Sequence, residues 1–334
     1  MALSRINANS ITDDSITVDQ IADTAVHGRR NRIINGDFQV WQRGTSSTTA
    51  GYSTADRFAS ASQNGAATFS QQSFTLGQTD VPGEPRFYYR HNQTTAATDY
   101  HPNIQQKIEG VRTLAGQTIT LSLYAKASKS LTLKTNMAQN FGYGGSPSAG
   151  NTFVSAVTIG TLTTSWQRIT YTVDVPSISG KTLGTNNDDR LEVYLQFPMS
   201  DTYTVDLALI QVEVGDKATP FEHRSYGEEL SLCQRYFYSN VETFLGKPPA
   251  SSTTQIATVI QYPVEMRANP SFSSSGTPKA DPYIGPSITA SSSSISFFNT
   301  SKLTAAIQIS NFSGLTNSRI YNVQDVTVKL DAEL

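Results

Sequence analysis

The chain has 334 residues, with 25 Lys and Arg against 27 Asp and Glu and a formal net charge of −2. That length holds two compact domains and a tail. The sparse, balanced charge, with Arg29-Arg30-Asn31-Arg32 as its densest basic cluster, argues against binding nucleic acid through phosphate neutralisation.

The first element is unusual. Ile6, Ile11, Ile16, Ile21 and Val26 recur every five positions, separated largely by Asn, Asp, Ser and Thr. A helical stripe needs spacings of three and four, and a coiled coil an average of 3.5. Five residues on a helix advance by roughly 140° beyond a full turn, which scatters the apolar side chains. The segment is also too polar to bury itself alone. Residues 1–30 therefore read as an extended arm that orders against copies of itself or a larger partner, with the five apolar residues as its anchors. No charged-then-apolar leader opens the chain, and no apolar run approaches the roughly 20 residues that span a bilayer. The expectation is a chain that folds in a cytosol without entering a membrane.

Residues 31–224 alternate with period two in many short runs. Ile119, Leu121 and Leu123 point one way, and Thr118, Thr120 and Ser122 the other. The pattern repeats at Ile169, Tyr171, Val173 and Val175, at Leu191, Val193, Leu195 and Phe197, and at Val205, Leu207 and Leu209. This is the mark of antiparallel strands with one buried face. Asn35-Gly36-Asp37-Phe38 with Trp41-Gln42-Arg43-Gly44, and Asp206 to Glu213, read as the first and last strands of one sandwich. Turn clusters separate the runs, and no long helical stripe intervenes. A two-sheet jelly roll is the natural solution.

The period changes once. Ser225 and Glu228 form a capping box, followed by Leu230, Cys233 and Phe237 at helical spacing, so residues 225–240 read as a short linking helix. Cys233 is the single cysteine, which excludes an intrachain disulfide, and reads as a buried small apolar residue. Residues 241–334 then form a smaller β-domain, with strands expected at Ile256–Tyr262, Ile295–Phe298, Ala305–Ile309 and Val326–Leu330. The fold class is all-β: a jelly-roll sandwich with an extended N-terminal arm, one helix and a C-terminal β-domain.

Catalytic patterns are missing from the sequence. The acidic pairs Asp13-Asp14, Asp188-Asp189 and Glu228-Glu229 are sequence neighbours, whereas a glycosidase needs carboxylates facing each other across about 5–10 Å. The four histidines show no metal-ligand spacing. The chain reads as a non-enzyme that needs no cofactor. Sugar binding needs an aromatic face beside hydrogen-bonding groups. Three sets qualify: Tyr88 in Phe87-Tyr88-Tyr89, Phe141 and Tyr143 with Asn140 in a glycine-rich loop, and Tyr100 with His101. The glycines around Tyr143 suggest a backbone that approaches a ligand. The alternatives are core packing for the strand aromatics and a loop anchor or subunit contact for Tyr143.

Several stretches in order resemble phage tail-fibre and virion-fibre proteins that carry a carbohydrate-binding-module-like jelly roll. They are Ile33-Ile34-Asn35-Gly36-Asp37-Phe38, Ala55-Asp56-Arg57-Phe58, Lys107-Ile108-Glu109-Gly110, Asn140-Phe141-Gly142-Tyr143-Gly144-Gly145, Ala218-Thr219-Pro220-Phe221-Glu222, and Glu229-Leu230-Ser231-Leu232-Cys233-Gln234-Arg235-Tyr236-Phe237. Together they cover roughly residues 31–240. The resemblance implies a virion protein assembled in the host cytoplasm, a homotrimer held to other virion proteins by the arm, and attachment to host surface glycan. A capsid or tail decoration role is the alternative, and polysaccharide degradation a more distant one. The resemblance also implies a structural calcium between first and last strands, with Asp37 and Asp206 as donors. Two carboxylates fall short of six to eight oxygens without backbone help, and strand-end hydrogen bonding is the other role open to them.

Overall fold

The computed structural model describes residues 29–240, 245–291 and 294–334. The arm positions Ile6, Ile11, Ile16, Ile21 and Val26 lie outside the described residues.

Where the sequence alternates, the chain forms eleven antiparallel strands: β1 (Ser46–Ser47), β2 (Ala59–Ala61), β3 (Ala66–Ser73), β4 (Phe87–Thr95), β5 (Asn103–Glu109), β6 (Thr118–Ala127), β7 (Leu131–Asn140), β8 (Asn151–Leu162), β9 (Gln167–Asp174), β10 (Arg190–Gln196) and β11 (Tyr203–Val214). They make a six-stranded sheet in the order β1-β3-β4-β11-β6-β9 and a five-stranded sheet in the order β2-β5-β10-β7-β8. The apolar phase of each strand enters one shared core: Leu121 and Leu123 from one sheet, Leu133, Met137, Val193 and Leu195 from the other. This is a β-sandwich of jelly-roll type, as the alternation requires.

Two strand expectations are corrected. Asn35 to Phe38 is a turn, not a strand: Asn35 and Phe38 have φ of 61° and 56°, and the Phe38 amide donates to the Asn35 carbonyl at 3.0 Å; Trp41 to Gly44 is likewise a turn, with the Gly44 amide donating to the Trp41 carbonyl at 3.3 Å. The reason for the first turn is the Asn35 side chain. Its amide nitrogen donates to the carbonyls of Val40 (2.8 Å) and Asp56 (3.0 Å), and its oxygen accepts from the Val40 amide (2.9 Å). These local bonds replace a sheet ladder. Leu209 also leaves the expected phase. Its φ is 51°, and the register with β6 shifts between Ala208 and Gln211, a β-bulge. Leu209 packs outside the sheet with Val81 and Ala208, and Ile210 and Val212 return to the core.

The helix α1 (Tyr226–Gln234) begins as the capping box requires, with Ser225 Oγ accepting from the Glu228 amide at 3.3 Å. Cys233 is fully buried in it, and burial pushes its thiol well above its usual range. Phe237 falls beyond the helix, on β12 (Phe237–Ser239). The C-terminal domain continues with β13 (Ile256–Gln261), β14 (Ser271–Ser275), β15 (Lys279–Pro282), β16 (Ile288–Thr289), β17 (Ser294–Phe298), β18 (Thr304–Ser310), β19 (Tyr321–Gln324) and β20 (Thr327–Asp331). These form three small sheets, β12-β20-β14, β13-β18-β17 and β16-β15-β19, around a second core that includes Ile307, Tyr321, Val323 and Leu330.

A charged joint connects the two cores. Arg57, 1 % exposed at its side chain, pairs with Glu333, which also lies 3.4 Å from Arg43. The Arg43 guanidinium stacks over Phe237 at 3.6 Å and that of Arg57 over Tyr236 at 3.5 Å. Arg235 and the Tyr236 hydroxyl both reach Glu109 on β5.

Candidate functional site

The outward phase of β5, β10 and β7 is polar. In register across those strands stand Asn103, Gln196 and Lys134, then Gln105, Tyr194 and Asn136, then Lys107, Glu192 and Ala138, then Glu109, Arg190 and Asn140. Asn103, Gln196, Gln105, Tyr194 and Asn136 of the first two rows floor a groove of about 340 Å³, bordered by Asp99, Tyr100, His101 and Met199 from the flanking loops. The loop is fixed to the sheet by hydrogen bonds. His101 Nδ1 lies 2.9 Å from the Phe197 carbonyl and so carries the ring proton, and Asn103 donates to the His101 carbonyl at 2.9 Å.

Three side-chain oxygens in this floor, Asn103 Oδ1, Gln105 Oε1 and Gln196 Oε1, are buried without a protein hydrogen-bond partner. The amides of Asn103, Gln105, Asn136 and Gln196 that line this floor carry both donors and acceptors, the complement of a hydroxyl-bearing ligand. The floor itself carries no charged side chain, and Asp99 stands at its border. Glu192 is matched by Arg190 at 2.8 Å and also accepts from the Tyr194 hydroxyl at 3.0 Å. Burial and the neighbouring Glu192 carboxylate push the Tyr194 phenol above its usual range, so it stays a neutral donor. Tyr194 and the exposed Tyr100 supply aromatic faces beside the amides.

Of the residues singled out in the sequence, Tyr100 lies in this groove. Asn140 and Tyr143 lie toward the other end of the same sheet. Asn140 Oδ1 accepts from the Gly142 amide at 3.0 Å, and the Tyr143 ring faces Arg190 at 5.6 Å while remaining 56 % exposed. Arg190 and Asn140 hydrogen bonds hold the Tyr143 phenol below its usual range. Phe141 is corrected: it is 1 % exposed and presents no face to a ligand. The glycines beside Tyr143 serve packing against the facing loop. A Cβ on Gly144 would lie 2.4 Å from Asn186 Oδ1, and one on Gly142 2.8 Å from Asp188 Oδ1. Tyr88 is on the opposite side of the sandwich, packed with Phe74 and Trp166, so it cannot share a site with Tyr100.

Asn103, Gln105, Asn136, Tyr194 and Gln196 were not singled out in the sequence. Their one signal was the polar phase of β5 and β10, which any solvated sheet face shares.

Of the two aspartates named for calcium, Asp206 is already paired with cations. Arg90 binds both oxygens of Asp206, at 2.7 and 2.9 Å, and Lys126 lies 3.8 Å away. Two cations already occupy the surroundings of that carboxylate. Asp37 accepts from Gln39 through Oδ2 while its Oδ1 is buried without a protein partner, and burial raises its pKa. No group of three or more His, Cys, Asp or Glu is disposed to hold a metal among the described residues. The acidic pairs within the described residues have structural partners. Asp188 accepts from the Tyr143 amide and Asp189 from the Val111 amide, each at 2.8 Å, while Glu229 is buried against Arg224.

No protein-family model matches the chain, and no curated protein sequence matches it. Solved structures with a related arrangement include the enzymatically active domain of bacteriophage CBA120 tailspike protein 4 (TM-score 0.34, 13 % identity, covering 55 % of this chain and 21 % of that one). They also include the N-terminal cellulose-binding domain of Cellulomonas fimi β-1,4-glucanase C (0.33, 14 %, 54 % and 100 %). A third is the CBM22-1 xylan-binding domain of Paenibacillus barcinonensis Xyn10C (0.33, 12 %, 52 % and 94 %). The match therefore takes in about a fifth of the tailspike chain.

Proposed function

We propose that this protein binds glycan without chemical turnover, in the groove over β5, β10 and β7. The observation that carries the reading is the groove that sets the amides of Asn103, Gln105, Asn136 and Gln196 beside Tyr194 and Tyr100. A sugar chain supplies hydroxyls to such amides and C–H faces to the rings. The uncharged floor, with the Asp99 carboxylate at its border, favours a neutral glycan over an acidic one.

Within that reading the protein is a fibre or appendage of a phage virion, a homotrimer joined to other virion proteins by residues 1–30 and attaching to host surface glycan. The ordered stretches between residues 31 and 240 support this part. Three linked copies multiply a weak single-site affinity.

The test is binding of the assembled protein to a panel of neutral polysaccharides, with its mass measured by light scattering. Tyr194→Ala and Gln105→Ala should each weaken the binding of the same glycan by about five- to tenfold, as expected for one lost stacking or hydrogen-bonding partner. The mass and thermal unfolding should be unchanged. A panel with no binder, or a bound glycan indifferent to both substitutions, rejects the groove. A monomeric or dimeric mass rejects the trimer.

A further inference from the structure

We propose that the opposite face of the sandwich carries a second binding site, selective for a carboxylate-bearing sugar residue held by Lys126. The site is a cavity of about 300 Å³ on the outside of the six-stranded sheet, lined by Arg90, Lys126, Ser128, Thr164, Thr204 and Asp206, together with Ala127. That volume is at the small end of ligand pockets and suits one sugar unit rather than a chain.

The charge is unequal there. Arg90 takes both oxygens of Asp206 in a fork, at 2.7 and 2.9 Å, the geometry of a strong bidentate pair. Lys126 reaches the same carboxylate only at 3.8 Å. Two cations and one anion leave one positive charge, centred on the Lys126 ammonium. A ligand with a single negative charge neutralises it.

Lys126 is also positioned for the task. Its ammonium lies 5.1 Å from the Trp166 ring and 6.0 Å from the Tyr88 ring. Those rings and Phe74 pack together with centroids 4.8 to 5.4 Å apart. The aromatic trio behind the lysine holds the charge by cation–π attraction at the wall of the cavity. Hydroxyls complete the lining. Ser128 Oγ accepts from the Thr204 amide at 3.0 Å, leaving its own proton to donate. Thr204 Oγ1 lies 3.2 Å from Asn92 Oδ1, to which it donates, and keeps its lone pairs for a sugar hydroxyl. A carboxylate on Lys126 with ring hydroxyls on Ser128 and Thr204 uses each of these groups.

This site is separate from the groove of the other sheet, and its test separates them. The full chain is titrated calorimetrically at low salt with trigalacturonate and 3′-sialyllactose, and with their uncharged counterparts galactotriose and lactose. At least one acidic probe should bind, about tenfold or more tighter than its neutral counterpart, and added salt should weaken it. Lys126→Gln should remove about tenfold or more of that affinity, the loss expected for a charge-assisted hydrogen bond. Lys126→Arg should retain it, and Tyr194→Ala should leave it unchanged. Equal binding of acidic and neutral probes, indifference to Lys126→Gln, or no binding of either acidic probe overturns the proposal. If Lys126→Gln does not fold, the comparison of acidic with neutral probes on the wild type and Lys126→Arg still decides. Loss of neutral-glycan binding in Tyr194→Ala reports on the groove alone.

Discussion

At the scale of single residues, His91 is the group whose chemistry is most altered by the fold. It is fully buried on the inner face of β4 among Phe69, Phe197 and Tyr203, with ring centroids 5.2, 5.0 and 6.3 Å away. Its Nε2 lies 2.8 Å from Gln93 Oε1 and so carries the proton, while Nδ1 has no hydrogen-bond partner. Burial pushes its pKa down to about 4. Between its ordinary 6.5 and about 4, the unfolded chain binds a proton that the folded chain refuses. The stability contributed by neutral His91 is therefore complete above pH 6.5 and is lost as pH falls toward 4. Asp56 acts in the opposite sense. Burial raises its pKa from 3.8 to about 6, so its folded form gains a proton first, and acidification through that window adds stability. The two effects overlap, and the His91 part is isolated by difference. The stability of the wild type relative to His91→Phe, from urea unfolding, should fall by about 2 kcal/mol between pH 7 and 4.5. Parallel curves for the two proteins would remove His91 as an acid-sensitive group.

At the scale of elements, the turn at Asn35 to Phe38 and the bulge in β11 are two halves of one contact. The Ile210 amide, just past Leu209, donates to the Gly36 carbonyl at 2.8 Å. A Cβ on Gly36 would come within 2.1 Å of the Ile210 carbonyl oxygen, a backbone atom that cannot swing aside. Gly36→Ala should therefore part the turn from β11, at about 2–3 kcal/mol for an overpacked site and roughly 4–12 °C in melting temperature. Gly227→Ala, on the first turn of α1 with nothing within 4 Å of its added Cβ, is the control and should be neutral or slightly stabilising. Equal melting of the two variants would show that the turn accommodates a side chain.

The same elements show where the sequence could be read. Ile119, Leu121 and Leu123 announce an inward face because burial against a second sheet imposes period two. The bulge at Leu209 was hidden, since Val205, Leu207 and Leu209 continue the alternation and only the approach of Gly36 explains the break. The turn at Asn35 was hidden because its bonds run to the carbonyls of Val40 and Asp56, and Asp56 lies 21 residues on. In the groove, Tyr100 was legible as an aromatic in a polar loop. Gln105, Tyr194 and Gln196 were not, since outward amides on a strand look like a solvated face until flanking loops enclose them.

At the scale of the whole molecule, the two cores are fastened by charge and by rings on arginine rather than by a continuous apolar interface. Glu333 serves Arg57 and Arg43 together, with its side chain 5 % exposed. Removing one partner from a buried ion pair leaves a charge without compensation, which typically costs 3–5 kcal/mol, whereas replacing the pair by apolar groups is often far less costly. Glu333→Gln should therefore destabilise the protein by about 3–5 kcal/mol. Arg57→Met combined with Glu333→Leu should lose less than the sum of the two single substitutions, as measured by denaturant unfolding in a double-mutant cycle. Additive losses would show that the arginine and the glutamate act through separate contacts. The joint reaches the five-stranded sheet at Glu109, through Arg235 and Tyr236, whereas the groove is floored by Asn103 and Gln105 on the same strand. Glu333→Gln should then leave glycan affinity unchanged at temperatures where it is folded. A loss of affinity alongside the loss of stability would mean that the C-terminal domain shapes the groove as well as bracing the sandwich.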